Sequence, residues 1–262
     1  MPTRSESVSA AAGVAAAAGR AFLYRFLAEA FAHPEPEGWA WVRSRETADA
    51  LRRAAGEAWP GREEIRSCAE NAVREVKGVS SDAARADHLR AFGYTIRGAC
   101  PPHEIEYGDT KADALFRPHR LADLASLYRV FGIEIGEETH ERQDHLAIEC
   151  EFASILAARL AHALQENHAD GRDACESAWR LFLRDHLGRW TPAFVARLSR
   201  SGAAPWLRSA AGLLLAVVRA DGEACGIRLG SSEIELVSYD EEDDAFCTEQ
   251  CGVAGSRAAP TP

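Results

Sequence analysis

The chain has 262 residues, 47% of them hydrophobic, which is enough for a globular protein with a substantial core. Lysine and arginine number 30 and aspartate and glutamate 40, so the net charge is −10, which disfavours nonspecific binding to nucleic acid or anionic lipid and favours a basic partner. No segment approaches the ~20 strongly apolar residues of a membrane span, so the composition predicts a soluble protein.

The N-terminal residues 1–18 are predicted to form a flexible arm. The run Val8–Gly19 is mostly Ala and Gly, and it lacks the Leu, Ile and Phe residues that are typical of a secretory signal. The seven cysteines of the chain are odd in number and scattered, a usage that fits a reducing compartment better than a disulfide scaffold. We therefore expect a cytoplasmic protein.

Residues 19–222 carry helical periodicity through most of their length. Apolar residues first recur at helical spacing from Phe22, and prolines and glycines interrupt the pattern afterwards. Ser80 or Ser81 is the predicted N-cap of one helix, and Thr191 is predicted to cap a later helix that has proline at its first position. Helical segments are predicted at Trp39–Ala58, Glu63–Lys77, Asp82–Ile96, Leu121–Phe131, Leu146–Gln165, Trp179–His186 and Trp206–Val217.

The longest periodic run of the chain is Leu146–Gln165. Apolar residues form a stripe along one side of this run, and further apolar residues widen the stripe, so the helix is expected to be buried on more than one side at the centre of a bundle. Asp144, just before the run, has the position of an N-cap whose carboxylate accepts from otherwise unpaired amides. The sequence predicts an all-α fold, a single-domain helical bundle over residues 19–222.

Beyond residue 222 the helical pattern ends, and residues 223–262 are predicted to form an irregular tail. Apolar residues on both sides of Gly230–Ser232 are compatible with a weak hairpin, which the sequence does not favour. The acidic run Asp240–Asp244 precedes an end that is rich in Ala, Pro and Gly. This composition is typical of a mobile acidic C-terminal tail.

A search for catalytic motifs in the sequence finds none that is complete. His103-Glu104 begins like a zinc-protease helix, but Tyr107 occupies the position of the second histidine ligand. The chain contains no Walker loop, no G-x-G-x-x-G and no G-x-S-x-G. We therefore predict that the protein is not an enzyme and that it needs no cofactor.

Two alternatives stay open at this point. Cys247 and Cys251 lie one helical turn apart, and together with Cys225 they would make a metal- or redox-active cluster in a helical protein. Three thiols without a fourth ligand are a weak site, so uncoordinated, solvent-facing cysteines are favoured. A nucleotide-dependent enzyme is the other alternative, and the missing phosphate loop ranks it last.

Three segments of the sequence occur one after another, and together they are a more specific signal of a protein family than any one of them alone. They are a loop with adjacent prolines at 98–108, a helix at 121–132, and the motif Glu141–His145 at the start of the longest helix. The residues concerned are Pro101, Pro102, Glu104, Tyr107, Leu121, Ala122, Asp123, Tyr128, Arg129, Phe131, Gly132, Glu141, Asp144, His145, Leu146, Glu149, Glu151 and Phe152. This ordered set, over about residues 90–165, resembles the TorD/DmsD/NarJ family of redox-enzyme maturation chaperones.

The resemblance implies an all-helical cytoplasmic protein with a chaperone domain at 19–222. Such a protein binds the apo catalytic subunit of a molybdopterin oxidoreductase, its client, often through the twin-arginine signal peptide, and holds it back from export until the cofactor is inserted. The family's Asp-His pair falls on Asp144 and His145. Gln143 and His103 depart from the proline and the aromatic residue that are common in the family. Helix exchange between protomers occurs in such bundles, so a homodimer stays open.

A receptor for a twin-arginine peptide needs carboxylates beside an apolar groove between helices. The carboxylates that the sequence offers are Glu104, Glu106, Glu141 and Asp144. The predicted apolar border consists of Tyr107, Leu121, Leu124, Tyr128 and Leu146. The client-binding residues predicted from pattern and resemblance together are Pro101, Pro102, Glu104, Tyr107, Leu121, Tyr128, Glu141, Asp144 and His145.

Overall fold

The computed structural model describes residues 4–93, 100–108, 111–136 and 141–237, with side chains from residue 10 onward except for residues 111–117. Within these ranges the chain forms ten α-helices, one 3-10 turn and no β-strand, which confirms the all-α prediction. None of these helices combines the length and the apolar content that crossing a membrane requires. The elements are α1 (Arg4–Phe31), α2 (Pro36–Val42), α3 (Arg45–Ala58), α4 (Glu63–Val76), α5 (Ser81–Phe92), η1 (Glu104–Glu106), α6 (Lys111–Val130), α7 (Leu146–Gln165), α8 (Ala169–Asp185), α9 (Leu187–Arg200) and α10 (Pro205–Cys225).

Helices α1 and α7 pack along each other at the centre of the bundle, and α3, α8 and α10 pack against this pair. Helix α7 buries residues on more than one side, among them Cys150 and Phe152, as its long apolar pattern predicts. Gly19 lets α1 approach α3 closely, because a Cβ atom at this position would lie 2.9 Å from the Ala54 carbonyl oxygen. The longest apolar pattern of the sequence therefore becomes the central helix.

The flexible arm predicted over residues 1–18 is helical from Arg4 onward, because α1 begins there. Alanine has the highest helix propensity of all residues, so the Ala-rich run continues the helix. Its small side chains also allow close packing: Ala17 is buried, and a Cβ atom at Gly13 would lie 3.8 Å from Leu164 of α7. Gly13 and Ala17 therefore belong to a packing face of α1.

Capping residues set several helix boundaries. The segment predicted at Trp39–Ala58 is two helices, because the Ser44 hydroxyl accepts from the N–H three residues later at 3.0 Å and starts α3. Ser80 starts α5 in the same way at 3.2 Å, which confirms one of the two caps predicted there. Helix α5 ends earlier than the pattern predicts, at Gly93, whose φ of 75° is one that glycine adopts without strain.

Helix α9 begins at Leu187, so the N-cap predicted at Thr191 is wrong. Thr191 is buried, and its hydroxyl donates to the Leu187 carbonyl oxygen at 2.6 Å. Pro192 lies inside the helix and has no N–H for the Gly188 carbonyl. The N–H of Gly230 donates to that carbonyl at 3.1 Å instead. Because of Pro192, the Gly188 carbonyl is free to accept a hydrogen bond from the chain that follows α10.

The chain leaves α10 through Gly226, whose φ of 67° lies in the left-handed region. Residues 227–237 contain neither a helix nor a strand, so the weak hairpin does not form. Leu236 makes a single antiparallel bridge with Tyr107 instead. The segment after α10 is therefore paired with the loop that carries the first family motif.

The irregular tail predicted over residues 223–262 lies only partly within the described chain. Helix α10 extends through Cys225, and the irregular course after it is described as far as residue 237. The acidic run Asp240–Asp244 lies outside the described residues, and so do Cys247 and Cys251.

Candidate functional site

The loop formed by residues 100–108 is the centre of the candidate site, and all of its residues are buried. Two backbone hydrogen bonds of 2.8 and 2.9 Å join one side of the loop to residues 144–146. Residues 235–237 pair with its other side. The loop therefore lies between the start of α7 and the segment after α10, and it is hydrogen-bonded to both.

Glu104 is fully buried, and the N-terminal part of α9 neutralises its carboxylate. Oε2 lies 3.0 Å from Nδ1 of His186, and Oε1 accepts from Nε and Nη2 of Arg189, each at 3.3 Å. Arg189 also donates to the backbone carbonyls of Glu104 and Tyr107, at 3.1 and 2.9 Å. Arg120 lies 3.9 Å from Oε1. Glu104 therefore connects the loop to α9 with its charge compensated inside the protein.

Arg142 joins two further buried acids of the site, Asp144 and Glu106. Its Nε and Nη2 donate to the two carboxylate oxygens of Asp144, at 2.5 and 2.9 Å, and Nη2 also lies 3.2 Å from Oε1 of Glu106. Asp144 accepts a further hydrogen bond, of 3.1 Å, from the N–H of Ile105. A bidentate guanidinium–carboxylate pair of this kind is both strong and geometrically specific. Asp144 therefore fastens the loop to the start of α7.

His145 is the N-cap of α7, so the prediction that Asp144 caps this helix is wrong. Nδ1 of His145 accepts from the N–H of Ala147 at 3.1 Å. The Asp144 carboxylate points the other way, because Arg142 and the loop already provide its hydrogen-bond donors. The residue next to the helix therefore caps it, and the preceding one holds the loop.

His103, Glu141 and His145 form a cluster in which potential metal-ligand atoms lie within 4.8 Å of one another. The Nε2 atoms of the two histidines lie 3.9 and 3.8 Å from Oε2 of Glu141. Because Nδ1 of His145 accepts from a backbone N–H, the ring proton is on Nε2, and that nitrogen is unavailable to a metal while the cap is formed. Burial lowers the pKa of both histidines and so favours their neutral rings. The capping hydrogen bond therefore argues against a metal centre here.

Tyr107 packs inside the protein. Its hydroxyl donates to the Pro101 carbonyl at 2.9 Å, and its ring centroid lies 5.1 Å from that of Trp190 in α9. Burial raises the pKa of the Tyr107 hydroxyl. Pro101 and Pro102 are buried as well. The proline pair and the tyrosine therefore shape the loop and present little surface to a partner.

Tyr128 and Gln143 connect α6 to the start of α7. The buried Tyr128 hydroxyl donates to the Gln143 carbonyl at 3.0 Å, and the Gln143 side-chain amide donates to the Leu121 carbonyl at 2.9 Å. Gln143 stands where proline is common in the family, and a proline would have no side-chain amide for this contact. Leu121 itself is half-buried.

Most of the predicted client-binding residues are thus brought together but not exposed. Of the four carboxylates predicted to receive a client's guanidiniums, Glu104, Glu106 and Asp144 are buried, and they pair with arginines of this chain. Glu141 is half-buried. The sequence contains one signal of this pairing, because Arg142 lies two residues before Asp144. Arg189, which pairs with Glu104, lies 85 residues after it and gives no such signal.

Glu149 is a further buried acid at this site. Its Oε2 accepts from Nε1 of Trp190 at 3.2 Å, and its Oε1 has no hydrogen-bond partner among the described residues. Burial raises its pKa well above the usual value, and the neighbouring Glu104 adds to that rise. Both effects favour the protonated form of the Glu149 carboxyl group.

Cys225 is the part of the predicted cysteine cluster that the structure describes. It is half-buried at the end of α10. Burial raises the pKa of its thiol, which disfavours the thiolate that metal binding or thiol exchange requires.

A surface groove lies beside the site, between the segment that follows α6 and the helix α7. Its cavity volume is about 250 Å³, and an adjoining cavity of about 320 Å³ lies against the same segment. Two exposed acids, Glu134 and Glu151, are on its wall. We call it the α6–α7 groove, and its apolar lining consists of Tyr128, Ile133, Ile135, Ile148, Phe152 and Ile155.

The α6–α7 groove combines the two features that the sequence assigned elsewhere, exposed carboxylates and an apolar channel. Glu151 belongs to the motif Glu149-x-Glu151-Phe152, which was noted for its resemblance and not for its charge. Glu134 stands between two isoleucines. Helical spacing places Glu151 one turn from Ile148 and Ile155. This spacing was the signal in the sequence that a carboxylate and apolar side chains share one face of α7.

A protein-family model described as the nitrate reductase delta subunit matches residues 49–196, which is more than half of the chain. The chain belongs to this family. The match includes the loop, the start of α7 and the α6–α7 groove. It confirms the resemblance to the TorD/DmsD/NarJ family that the three ordered segments indicate.

Several curated proteins are similar to the chain over part of their length. The selenate reductase assembly chaperone protein of Thauera selenatis is 33% identical over 130 residues, which are 48% of this chain and 63% of that protein. The chaperone protein TorD of Vibrio cholerae is 28% identical over 136 residues, 52% of this chain and 59% of TorD. The chlorate reductase assembly chaperone protein of Ideonella dechloratans is 37% identical over 89 residues, 31% of this chain and 44% of that protein. The chain thus spans less than two thirds of each of these relatives.

Proposed function

We propose that this protein is a non-enzymatic assembly chaperone, which binds the apo catalytic subunit of a molybdopterin oxidoreductase until the cofactor has been inserted. The observation that carries the proposal is the family match over residues 49–196. Relatives named as assembly chaperones of selenate and chlorate reductases support it. Binding and release suffice for this role, and we place it in the cytoplasm, where the client would be held before export.

The peptide that we propose as the ligand is the twin-arginine signal of the client, and the α6–α7 groove is its binding site. The two guanidiniums would pair with Glu134 and Glu151, which are exposed on the groove wall. The apolar stretch after them would lie against Ile148 and Ile155. A net charge of −10 would increase the rate of encounter with such a basic peptide.

The residues of the loop and of the start of α7 have a positioning role in this proposal. The Asp144–Arg142 pair fixes the loop to α7, and Tyr128 connects α7 to α6, which leads into one wall of the groove. Glu141 and Leu121 are half-buried and are the predicted residues that are partly open to contact. The family motif would thus act on the peptide mainly by holding the groove in shape.

Co-purification with a client tests the proposed function. The full chain is expressed with the molybdopterin oxidoreductase catalytic subunit encoded nearest to its gene, once with the signal peptide intact and once with both of its arginines replaced by alanine. We expect retention of the intact client and weaker retention of the altered one. If neither client is retained, and client activity persists after deletion of this gene, the proposed function is wrong. Equal retention of both clients would leave the chaperone role and reject the signal peptide as the ligand.

Charge reversal in the groove tests the binding site. In the double variant Glu134→Lys/Glu151→Lys, we expect the affinity for the client's synthetic signal peptide to fall by about tenfold or more, because like charges then face the guanidiniums. Both side chains are exposed, so the free energy of unfolding should change by less than about 0.5 kcal/mol. Glu57→Lys is the matched control, because Glu57 is an exposed glutamate of α3 that does not line the groove. An unchanged affinity of the double variant would exclude the groove as the site.

A further inference from the structure

The outer side of the loop, formed by residues 106–108, offers backbone groups to an extended chain. We propose that this edge is a second docking surface, for an extended apolar stretch of the client's signal peptide that follows the part received by the α6–α7 groove, and that residues 231–237 of the chain occupy it in the unbound protein. We call residues 231–237 the strap. The inference rests on the proposed function, because the client is defined there.

The contacts between the strap and the loop are those of an added antiparallel strand. Gly108 N–H donates to the Glu235 carbonyl at 3.0 Å, and Val237 N–H donates to the Glu106 carbonyl at 2.9 Å. These two bonds flank the bridge that the strap makes with the loop. Backbone pairing of this kind does not depend on side-chain identity. Any extended segment with a free N–H at the position of Val237 can therefore make it.

The strap also indicates the side-chain chemistry that fits the edge. Ile234 is buried, with 8% of its surface exposed, and Leu236 is half-buried. Glu233 and Glu235, which alternate with them, are exposed. This is the period of two that an extended segment has when one face is covered. The matching partner is an extended stretch with apolar residues at every second position.

The chain is tightly fitted against α9 just before the strap begins. Just before it, Gly230 donates to the Gly188 carbonyl at 3.1 Å, and a Cβ atom at Gly230 would lie 1.8 Å from the Arg189 carbonyl oxygen, so the chain is tightly fitted there. Further along, Ile234 is its buried side chain, and the two backbone bonds to the loop hold its end.

The inner side of the loop differs from this outer edge. It pairs with residues 144–146, which continue directly into α7 and are fixed by the bidentate Arg142–Asp144 pair. The outer edge is therefore the side of the loop that can exchange its partner, with Gly230 as the fixed end of the strap.

Loosening the strap with proline tests whether it occupies a binding edge. Val237→Pro removes the N–H that pairs with Glu106, and Val237→Ala is the control that keeps it. The probe is a labelled synthetic peptide of residues 230–237, Gly-Ser-Ser-Glu-Ile-Glu-Leu-Val, whose binding to the full chain is measured by fluorescence anisotropy. We expect Val237→Pro to bind it about tenfold tighter than the wild type and the control, because the edge is then more often free. Equal affinities with unchanged circular dichroism would overturn the inference.

Amide hydrogen exchange of the wild-type protein tests whether the client uses the same edge. On addition of the client's synthetic signal peptide, we expect the Val237 amide to exchange about tenfold faster, while the Gly108 amide stays protected because the client now pairs with it. If the peptide binds and the Val237 amide stays protected, the client does not displace the strap and the inference is wrong. If the client peptide does not bind at all, the signal peptide is rejected as the ligand, and the strap-peptide experiment still decides whether the edge binds a chain.

Discussion

Asp144 and Asp221 are both fully buried aspartates beside an arginine, but they lie in different parts of the molecule and have different partners. Asp144 joins the loop to α7 and accepts from two nitrogens of Arg142 and from a backbone N–H. Asp221 lies in α10, and it faces Nη2 of Arg20 at 2.7 Å and the Tyr24 hydroxyl at 2.7 Å, both from α1. Burial raises the pKa of Asp221 to about 6.

The two carboxylates differ in the groups that surround them. Three hydrogen-bond donors, two of them from one guanidinium, surround the Asp144 carboxylate. At Asp221 desolvation outweighs the arginine and the tyrosine hydroxyl. We therefore expect Asp144 to hold the loop to α7, and we expect the charge of Asp221 to change at mildly acidic pH.

The largest expected effect is that of Asp144→Ala. The variant leaves the Arg142 guanidinium and the Ile105 N–H without their acceptor, and removing one partner of a buried pair costs about 3 kcal/mol or more in free energy of unfolding. Urea denaturation measures the loss. Asp123→Ala in α6 is the control, because Asp123 is exposed, and its loss should stay below about 0.5 kcal/mol. Similar values for the two variants would show that the buried pair contributes little.

The second prediction concerns the pH dependence that Asp221 confers. Its folded-state pKa of about 6 lies above the ordinary aspartate value, so the folded state binds more protons than the unfolded state between about pH 4 and 6. The associated stability is fully present below that window and is lost as the pH rises through about 6. The raised pKa corresponds to about 2 to 3 kcal/mol over the window.

Asp221→Asn removes this titration and supplies the comparison. We expect the free energy of unfolding of the wild type, relative to the variant, to decrease from pH 4 to pH 6.5 and to level off above. Chemical denaturation at several pH values measures the difference. A constant or increasing difference would contradict the raised pKa of Asp221.

The smallest of these effects is expected at His145, the neighbour of Asp144. His145→Ala removes the acceptor for the Ala147 N–H, and the loss of an N-cap costs about 1 kcal/mol. His145→Asn keeps a capping oxygen and should recover about half of that loss or more. Urea denaturation of both variants is the measurement. A loss as large as that of Asp144→Ala, with no recovery by asparagine, would mean that His145 acts through packing and not as a cap.

Local patterns in the sequence were sufficient for much of the helical architecture. The apolar stripe in Leu146–Gln165 identified the central helix. Of the two alternative N-caps predicted for α5, Ser80 and Ser81, the structure confirms Ser80. Local patterns failed where a distant group intervened. Thr191 resembles an N-cap because proline follows it. Pro192 leaves the Gly188 carbonyl without its helical donor, and the N–H of Gly230, 38 residues after Pro192, donates to that carbonyl instead. Helix α9 can therefore begin a turn before Thr191.

The structure brings the predicted segments together, but it buries three of the four carboxylates that the sequence offered for client binding. Glu104 looks like a solvent-facing acid in a polar loop, and nothing near it in sequence indicates His186 and Arg189, which are 82 and 85 residues away. The exposed acids of the α6–α7 groove are Glu134 and Glu151. Charge alone cannot distinguish the two sets, because pairing and burial depend on which helices meet.

The sequence by itself determined the all-α class, the central helix and the family, since helical period, capping residues and ordered motifs are local and are read directly from neighbouring residues. Only the tertiary structure decided that the motif acids are internal ties, that His145 and not Asp144 caps α7, and that residues 235–237 cover the loop. The physical reason is the same in each case. Hydrogen bonds are made with the nearest available partner in space, and that partner comes from a distant part of the chain or from a competing neighbour.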